Sequence, residues 1–142
     1  MKIRIYQEKD EADVINLWVK CDLVVPWNNP HLDIKRKLKV NPELFLVGIL
    51  DGEIIASIMG GYEGHRGWIN YLAVAPAYRR RGYGQKMMAA IEATLKAMGC
   101  PKINLQVRSS NAAVIQFYQA IGYKLDDVVS LGKRLVEDKS LA

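Results

Sequence analysis

The ten residues from Ala75 to Gly84 constrain the fold of this chain more than any other stretch. They join a β-rich run, Trp68 to Val74, to a helical pattern from Gln85 to Met98, and they carry three arginines followed by Gly-Tyr-Gly. Glycines at positions 82 and 84 let the backbone approach a ligand closely, and a helix that begins there directs its free N–H groups at the same point. This phosphate loop (residues 75–84) predicts binding of a pyrophosphate.

The rest of the chain predicts strands and helices arranged around this unit. Lys102 to Val107 has the pattern of a strand, and a strand–helix–strand crossover of this length normally pairs its two strands in parallel. Asp51-Gly52 separates two β-rich runs and favours an antiparallel hairpin. We therefore predict an α/β (α+β) fold in one domain, residues 1–142, with a mixed, mostly antiparallel sheet, one central parallel β-α-β crossover and flanking helices. The other predicted elements are strands at Lys2–Tyr6, Leu44–Leu50 and Glu53–Gly60, helices from Asp10, over Asp33–Val40 and from Asn111, and one or two strands within Tyr123–Val136.

Composition limits the partners of the chain. Its 142 residues are 50% hydrophobic and carry a formal charge of +5, which favours anionic ligands. No interleaved basic and aromatic platform indicates nucleic-acid binding. No apolar run approaches the ~20 residues that a membrane span needs, so we expect no membrane association and a cytoplasmic location. Cys21 and Cys100 lie far apart without metal-ligand spacing, which predicts reduced structural thiols and no metal site.

Two segments together resemble the GNAT superfamily of acetyl-coenzyme A (acetyl-CoA) dependent N-acetyltransferases. Arg79 to Gly84 fits the family pattern of Gln or Arg, two variable residues, Gly, any residue, then Gly or Ala. Asn111 to Tyr123 is similar to the family's Asn…Phe-Tyr…Leu-Gly-Phe block. The resemblance covers nearly the whole chain. It implies acetyl-CoA as the donor, direct attack by a primary amine of a small molecule or peptide, and it allows a homodimer, since many family members are dimers.

The resemblance also implies positions for the site residues. The backbone of Leu72 to Val74 would pair with the pantetheine arm, the loop amides would hold the pyrophosphate, and Asn111 would contact the cofactor. Tyr118 falls where many members place the acid that protonates the leaving thiolate, and a tyrosine of pKa ~10 can lend a proton or hydrogen bond to a thiol of pKa ~8.5. The implied cofactor-binding residues are Leu72, Ala73, Val74, Arg79, Arg80, Arg81, Gly82, Tyr83, Gly84, Gln85 and Asn111.

One position departs from a subgroup that the chain resembles locally, the ribosomal-protein alanine N-acetyltransferases. The match lies in Ala73 to Pro76 and Val107 to Asn111, but those enzymes carry a glutamate base just before that valine. This chain has Gln106 there, which cannot take a proton at neutral pH. Glu63, expected near the splayed centre of the sheet, is the leading candidate base and His65 the second. An acceptor with a low amine pKa would need neither.

Alternatives stay open for single residues and for the function. Tyr118 also fits the apolar stripe of its helix, Asn111 is an adequate helix cap, and Glu63 could be an exposed strand-end carboxylate. Trp27 either flanks the acceptor site or closes the core. The acceptor could also be a protein N-terminus, as in the ribosomal subgroup, and Gln106 leaves room for a non-catalytic acyl-CoA-binding or sensing domain.

Overall fold

The computed structural model of the chain describes residues 1–138. It contains a five-stranded sheet with helices on both faces. The strands, in chain order, are β1 (Lys2–Ile5), β2 (Phe45–Leu50), β3 (Glu53–Tyr62), β4 (Gly67–Val74) and β5 (Ile103–Leu105), and the helices are α1 (Glu11–Lys20), α2 (Pro30–Lys37), α3 (Tyr83–Ala97) and α4 (Ala112–Ala120). The sheet order is β1-β2-β3-β4-β5. The first three pairings are antiparallel and β4–β5 is parallel, which confirms the predicted fold class.

Two apolar clusters lie on opposite faces of the sheet because strand side chains alternate in direction. On one face, α1 and α2 bring Trp18 and Ile34 against Phe45 and its neighbours. On the other face, the apolar stripe of α3 packs with α4 against the sheet. The stripe consists of Met87, Met88, Ile91 and Leu95, which are all fully buried. Each such side chain stabilises the fold by about 1.5–3 kcal/mol, so the sheet is fixed firmly between its helices.

Local turn chemistry explains most element boundaries. Asp51 and Gly52 both have positive φ, 50° and 79°, as a type I′ hairpin turn between β2 and β3 requires. Gly99, at φ 90°, follows the end of α3 as a left-handed helix terminator. Among residues 1–138, no helix is both long enough and apolar enough to cross a bilayer.

The start of α2 differs from the prediction by three residues. The helix begins at Pro30 rather than Asp33, because the Asn29 side chain accepts hydrogen bonds from the backbone N–H groups of His31 and Leu32. Proline is compatible with the first helical position, where its missing N–H costs nothing. The Asn29-Pro30 pair therefore begins the helix.

The strands predicted within Tyr123–Val136 are absent from the described residues. The segment has no regular secondary structure, and residues 124–137 are all exposed. A strand needs a neighbour that accepts and donates backbone hydrogen bonds, and no backbone bond joins this segment to β5 in the part of the chain that the structure describes. The prediction is therefore wrong for one isolated copy of the chain.

Candidate functional site

The phosphate loop has a backbone shape that favours anion binding. Residues Pro76–Tyr78 form one 3-10 turn, after which Arg80 and Gly82 adopt left-handed conformations with φ of 64° and 79°. Gly82 is the N-cap of α3 and has no side chain to accept hydrogen bonds from the first turn, which contains no acidic residue. The N–H groups at the start of α3 are thus left for an external acceptor, and the helix dipole adds positive potential there.

The arginines of the loop keep their charges available. Arg79 donates from Nε to the carbonyl oxygen of Val74 at 3.1 Å, and the Arg81 guanidinium lies 5.5 Å from the ring centroid of Tyr78. None of the three arginines forms an ion pair with any residue in the range 1–138. The loop therefore carries three positive charges just before an uncapped helix start, a combination that suits a pyrophosphate.

Gly84 allows α4 to approach the loop. A Cβ atom placed at Gly84 would lie 3.2 Å from Cζ of Phe117, so any side chain here would press on the Phe117 ring. The absence of that side chain lets the ring pack against the first turn of α3. The helix that carries Asn111 at its start and Tyr118 near its end is held beside the phosphate loop for this reason.

A β-bulge interrupts β4 where it separates from β5. Tyr71 has φ of 52°, and the pairing register of β3 with β4 shifts between Ser57 and Met59. Pairing of β4 with β5 ends at Ile69 opposite Leu105. Beyond this point no strand within residues 1–138 pairs with Leu72–Val74 on its β5 side, so the backbone along the predicted pantetheine site is open to a ligand. Bulges of this kind re-aim backbone and side chains next to active sites.

A buried network holds the bulge in place. Ser57 Oγ accepts a hydrogen bond from Trp18 Nε1 at 2.9 Å and donates one to the Tyr71 carbonyl oxygen at 3.0 Å. The Trp18 ring stacks on the Tyr71 ring with centroids 3.9 Å apart. Ser57 is completely buried. A single hydroxyl thus fixes both the bulge carbonyl and the aromatic ring beneath it.

Replacing Ser57 by alanine is expected to destabilise the protein by about 1–3 kcal/mol, because it leaves the buried Trp18 N–H and the Tyr71 carbonyl without partners. Urea unfolding followed by tryptophan fluorescence measures the loss. Ser110→Ala, at an exposed position, is the matched control and should stay within about 0.5 kcal/mol of the wild type. Equal unfolding midpoints for the two variants would remove Ser57 from this role.

Tyr118 lies on α4 among aromatic rings. Its side chain is almost fully buried, with the rings of Phe117 and Tyr123 edge-on at centroid distances of 5.0 and 5.6 Å. Burial raises the pKa of the Tyr118 hydroxyl to about 12. No described residue forms a hydrogen bond with that hydroxyl. The group is a neutral phenol at physiological pH with its proton free to donate.

Asn111 has the structural role of a helix cap. Its Oδ1 accepts a hydrogen bond from the backbone N–H of Val114 at 3.3 Å, at the start of α4. Its side-chain nitrogen has no partner within the described residues. Capping occupies only the oxygen, so the nitrogen can still contact a cofactor.

Comparison with known proteins identifies this arrangement. The family described as Acetyltransferase (GNAT) family matches residues 12–123. An acetyltransferase of Yersinia pestis (strain Pestoides F) is 50% identical over 139 residues, which cover 98% of this chain and 99% of that protein. The chain belongs to the GNAT acetyltransferase family. Membership confirms the predicted enzyme class and donor, an N-acetyltransferase that uses acetyl-CoA.

Solved GNAT structures agree with the fold. Ard1 from Thermoplasma volcanium superposes with a TM-score of 0.79 at 25% identity, over 88% of this chain and 83% of that one. AAC(6')-Iy, solved in complex with the bisubstrate analogue CoA-S-monomethyl-acetylneamine, superposes with a TM-score of 0.75 at 18% identity, over 94% and 97% of the two chains. The second likeness concerns the fold alone.

The structure does not bring Glu63 to the other predicted site residues. Its Oε1 accepts hydrogen bonds from the backbone N–H groups of Arg66 and His65, and these bonds hold the pKa of the carboxyl below its ordinary value. The turn that contains both Glu63 and His65 lies beside Gly67, at the opposite end of β4 from Val74, about 23 Å away for an extended strand. The splayed centre expected near Glu63 lies instead at the bulge.

The structure also gives the surroundings of two other residues that the sequence singled out. Trp27 is 50% exposed, and the Arg108 guanidinium lies 5.4 Å from its ring centroid. The ring therefore does not close the core and stands on the surface of the α1–α2 connection. Gln106 follows β5 and donates a hydrogen bond from Nε2 to Ser130 Oγ, so the residue in place of the expected glutamate contacts the C-terminal segment.

A polar pair beside the bulge has no counterpart among the predicted site residues. The Tyr71 hydroxyl donates to Asp33 Oδ2 at 2.6 Å, which joins α2 to β4 on the face opposite α3 and α4. Burial, and then this hydrogen bond, raise the pKa of Tyr71 above its ordinary value. Asp33 also lies 3.4 Å from Arg36. Nothing in the spacing of these residues signals the contact, because it depends on the positive φ of Tyr71.

Proposed function

We propose that this GNAT enzyme transfers the acetyl group of acetyl-CoA to a primary amine of a small molecule or peptide. The observation that carries the proposal is the junction at the start of α3. There the phosphate loop, the open backbone of Leu72–Val74 and the helix of Tyr118 meet. We further propose that residues 1–142 form one catalytic domain. Its location in the cytoplasm stays a prediction.

The residues proposed to bind acetyl-CoA follow one another along the site in the same order as the chemical groups of the donor that they suit. The backbone N–H groups from Arg80 to Gln85 suit the pyrophosphate, with the Arg79 and Arg81 charges beside them. Leu72–Val74 offers backbone donors and acceptors for the amide-containing arm. Asn111 contributes its side-chain nitrogen, which has no partner within residues 1–138. This order directs the thioester end of the donor toward the bulge and Tyr118.

The chemistry requires a positioned amine and a stabilised leaving sulfur. Acetyl-CoA supplies the acetyl group as a thioester; the amine nitrogen bonds to the acetyl carbon, the carbon–sulfur bond breaks, and the proton lost by the amine balances the charge on sulfur. Backbone N–H groups of Leu72–Val74 face the developing charge on oxygen. Because the pKa of Tyr118 is raised, its hydroxyl supports the sulfur by donating a hydrogen bond while keeping its own proton.

Asp33 replaces Glu63 as the proposed proton acceptor. An amine of pKa ~10.4 is protonated at neutral pH and must lose a proton before it attacks. Asp33 is placed by α2 against Tyr71, at the bulge, and its carboxylate already accepts one hydrogen bond there. A carboxylate at this point can accept the amine proton directly or through water. The Glu63 carboxylate instead accepts hydrogen bonds from backbone N–H groups of its own turn.

Asp33→Asn is expected to lower kcat/KM by about 10–100-fold, since the proton acceptor is lost while the Tyr71 hydrogen bond can persist. Glu63→Gln is the matched control and should stay within about twofold of the wild type, since it also exchanges one carboxylate for an amide. Release of the CoA thiol is measured with each acceptor. A large loss in Glu63→Gln with an active Asp33→Asn would reverse the assignment.

An acceptor panel tests the proposed function itself. It contains small primary amines, amino-acid derivatives and peptides with free N-termini, the last because the chain resembles the ribosomal-protein subgroup. Amine-dependent thiol release with any small amine or peptide supports the proposal. Binding of acetyl-CoA without transfer to any member of the panel would favour the acyl-CoA-binding alternative. A peptide-only result would favour protein N-termini as the natural acceptors.

A further inference from the structure

Arg36, one turn after Asp33 on α2, binds a carboxylate from a distant part of the chain. Its Nη1 and Nη2 atoms donate to the two carboxylate oxygens of Asp138 at 3.0 and 2.8 Å. The backbone N–H of Asn29 donates to one of the same oxygens at 3.3 Å. The Asp138 side chain is only 2% exposed. We call Arg36 and the Asn29 N–H the carboxylate site, because a guanidinium fork and one further donor together match the shape of a carboxylate.

The carboxylate site lies directly beside the proposed proton acceptor. Nη1 of Arg36 also donates to Asp33 Oδ1 at 3.4 Å, so one nitrogen atom contacts both carboxylates. The other oxygen of Asp33 accepts the hydrogen bond from Tyr71 at the bulge. Burial is the main cause of the raised pKa of Tyr71, and the Asp138 charge adds to it, which places Asp138 near the bulge as well. A carboxylate on Arg36 is therefore close to the group proposed to accept the amine proton.

The segment that carries Asp138 is attached to the body of the protein through exposed side chains. Residues 124–137 are all exposed and have no regular secondary structure. Arg134 in this segment donates to Asn28 Oδ1 at 2.9 Å. Exposed polar contacts of this kind contribute little to stability because water competes for them. A carboxylate from another molecule can therefore displace Asp138 and gain equivalent hydrogen bonds from Arg36.

Displacing the segment leaves one negative and one positive side chain next to each other. Arg134 and Asp138 move away together, whereas Asp33 and Arg36 stay on α2. An α-amino acid carries the complementary pair of charges, an ammonium and a carboxylate separated by one carbon atom. With its carboxylate on Arg36, the nitrogen of such a molecule reaches Asp33. A primary amine without a carboxylate lacks the group that Arg36 would bind.

We propose that Arg36 binds the carboxylate of an α-amino acid acceptor, and that Asp138 occupies the same place until the acceptor displaces it. The inference rests on the proposed function and narrows its class of acceptor. Arg36 positions the amine beside Asp33, which lowers the entropic cost of the reaction. Asp138 adds discrimination, since an acceptor without a carboxylate gains nothing from Arg36 that offsets the loss of this contact.

Paired acceptors test the assignment. L-Alanine and L-phenylalanine are each compared with their carboxamides, which keep the α-amine and lose the negative charge. In the wild type we expect KM to be at least about tenfold lower for the free acids. Arg36→Ala should raise KM of the free acids about 10–100-fold and change KM of the carboxamides less than about threefold. Lys35→Ala is the matched control, because it removes a positive charge from an exposed neighbouring position and should change each KM less than about twofold.

Asp138→Ala distinguishes acceptor binding from a structural role of Arg36. The variant removes the competing carboxylate, so KM of the free acids should fall about 3–10-fold. If Arg36 served only to anchor the segment, Arg36→Ala and Asp138→Ala would both release it and would change KM in the same direction. Changes in the same direction, or equal effects of Arg36→Ala on free acids and carboxamides, would overturn the proposal.

A binding measurement separates this inference from the proposed function. Saturation-transfer NMR detects L-alanine and L-phenylalanine bound to the protein in the presence of CoA, without requiring transfer. Acetylation of carboxamides and free acids with equal KM would overturn the carboxylate site and leave the proposed function intact. Absence of transfer to any amine, with binding of the free acids that is lost in Arg36→Ala, would overturn the proposed function and support the carboxylate site. Absence of both transfer and binding would overturn both.

Discussion

Replacing Gly82 by valine is expected to reduce acetyl-CoA affinity at least about 100-fold, to below detection by titration calorimetry. Gly82 caps α3 at φ 79°, a conformation that a β-branched residue adopts only with strain. The loop must rotate to relieve that strain, and its N–H groups then point away from the proposed pyrophosphate position. Each charge-assisted hydrogen bond is worth about 1.5–3 kcal/mol, so the loss of two accounts for the expected change.

The chain contains a matched control for this substitution. Gly52, in the β2–β3 turn, also has φ of 79°, and an added Cβ meets no atom within 4 Å at either position. Gly52→Val therefore imposes the same backbone strain without touching the phosphate loop. It should lower stability by a similar amount and leave the affinity for acetyl-CoA unchanged. Unchanged affinity in Gly82→Val would remove the loop from cofactor binding.

The elements around the phosphate loop were predictable because their signals are local. Glycine positions 82 and 84, the apolar period of α3 and Gly99 at its end each act within a few residues along the chain. A crossover of that length then fixes a parallel neighbour, which is the pairing of Gly67–Ile69 with Ile103–Leu105. Local chemistry and one topological rule were sufficient for this half of the fold.

The features that escaped prediction depend on contacts between distant segments. The bulge at Tyr71 is held by Ser57 and Trp18, which are 14 and 53 residues away, and no residue at the bulge itself is a glycine. The Asp33 contact exists only because of that bulge. Glu63 lies at the strand end that the sequence predicted, but its carboxylate accepts hydrogen bonds from backbone N–H groups of the turn that follows.

The segment after α4 illustrates a different limit. Its β-rich pattern predicts strand pairing, yet residues 1–138 provide no adjacent strand for it. Sequence patterns report the preference of a segment and leave open whether the fold supplies a partner.

Tyr118→Phe is expected to lower kcat about 100-fold while acetyl-CoA affinity changes less than about twofold. The substitution keeps the buried ring and its contacts with Phe117 and Tyr123, and removes only the hydroxyl that we propose supports the departing sulfur. Tyr6→Phe is the control. The Tyr6 hydroxyl is buried without a hydrogen-bond partner in the described structure, so its loss should not reduce turnover.

The pH dependence separates a hydrogen-bond donor from a packing residue. Burial raises the pKa of Tyr118 to about 12, so the hydroxyl keeps its proton at every pH below that value and loses it only as the pH rises through it. The ratio of wild-type to Tyr118→Phe turnover should therefore be constant between about pH 6 and 10. A ratio that falls toward one between pH 8 and 10 would mean that Tyr118 ionises there and is less buried during turnover. A ratio of one throughout would mean that the ring, and not its hydroxyl, is what the site requires.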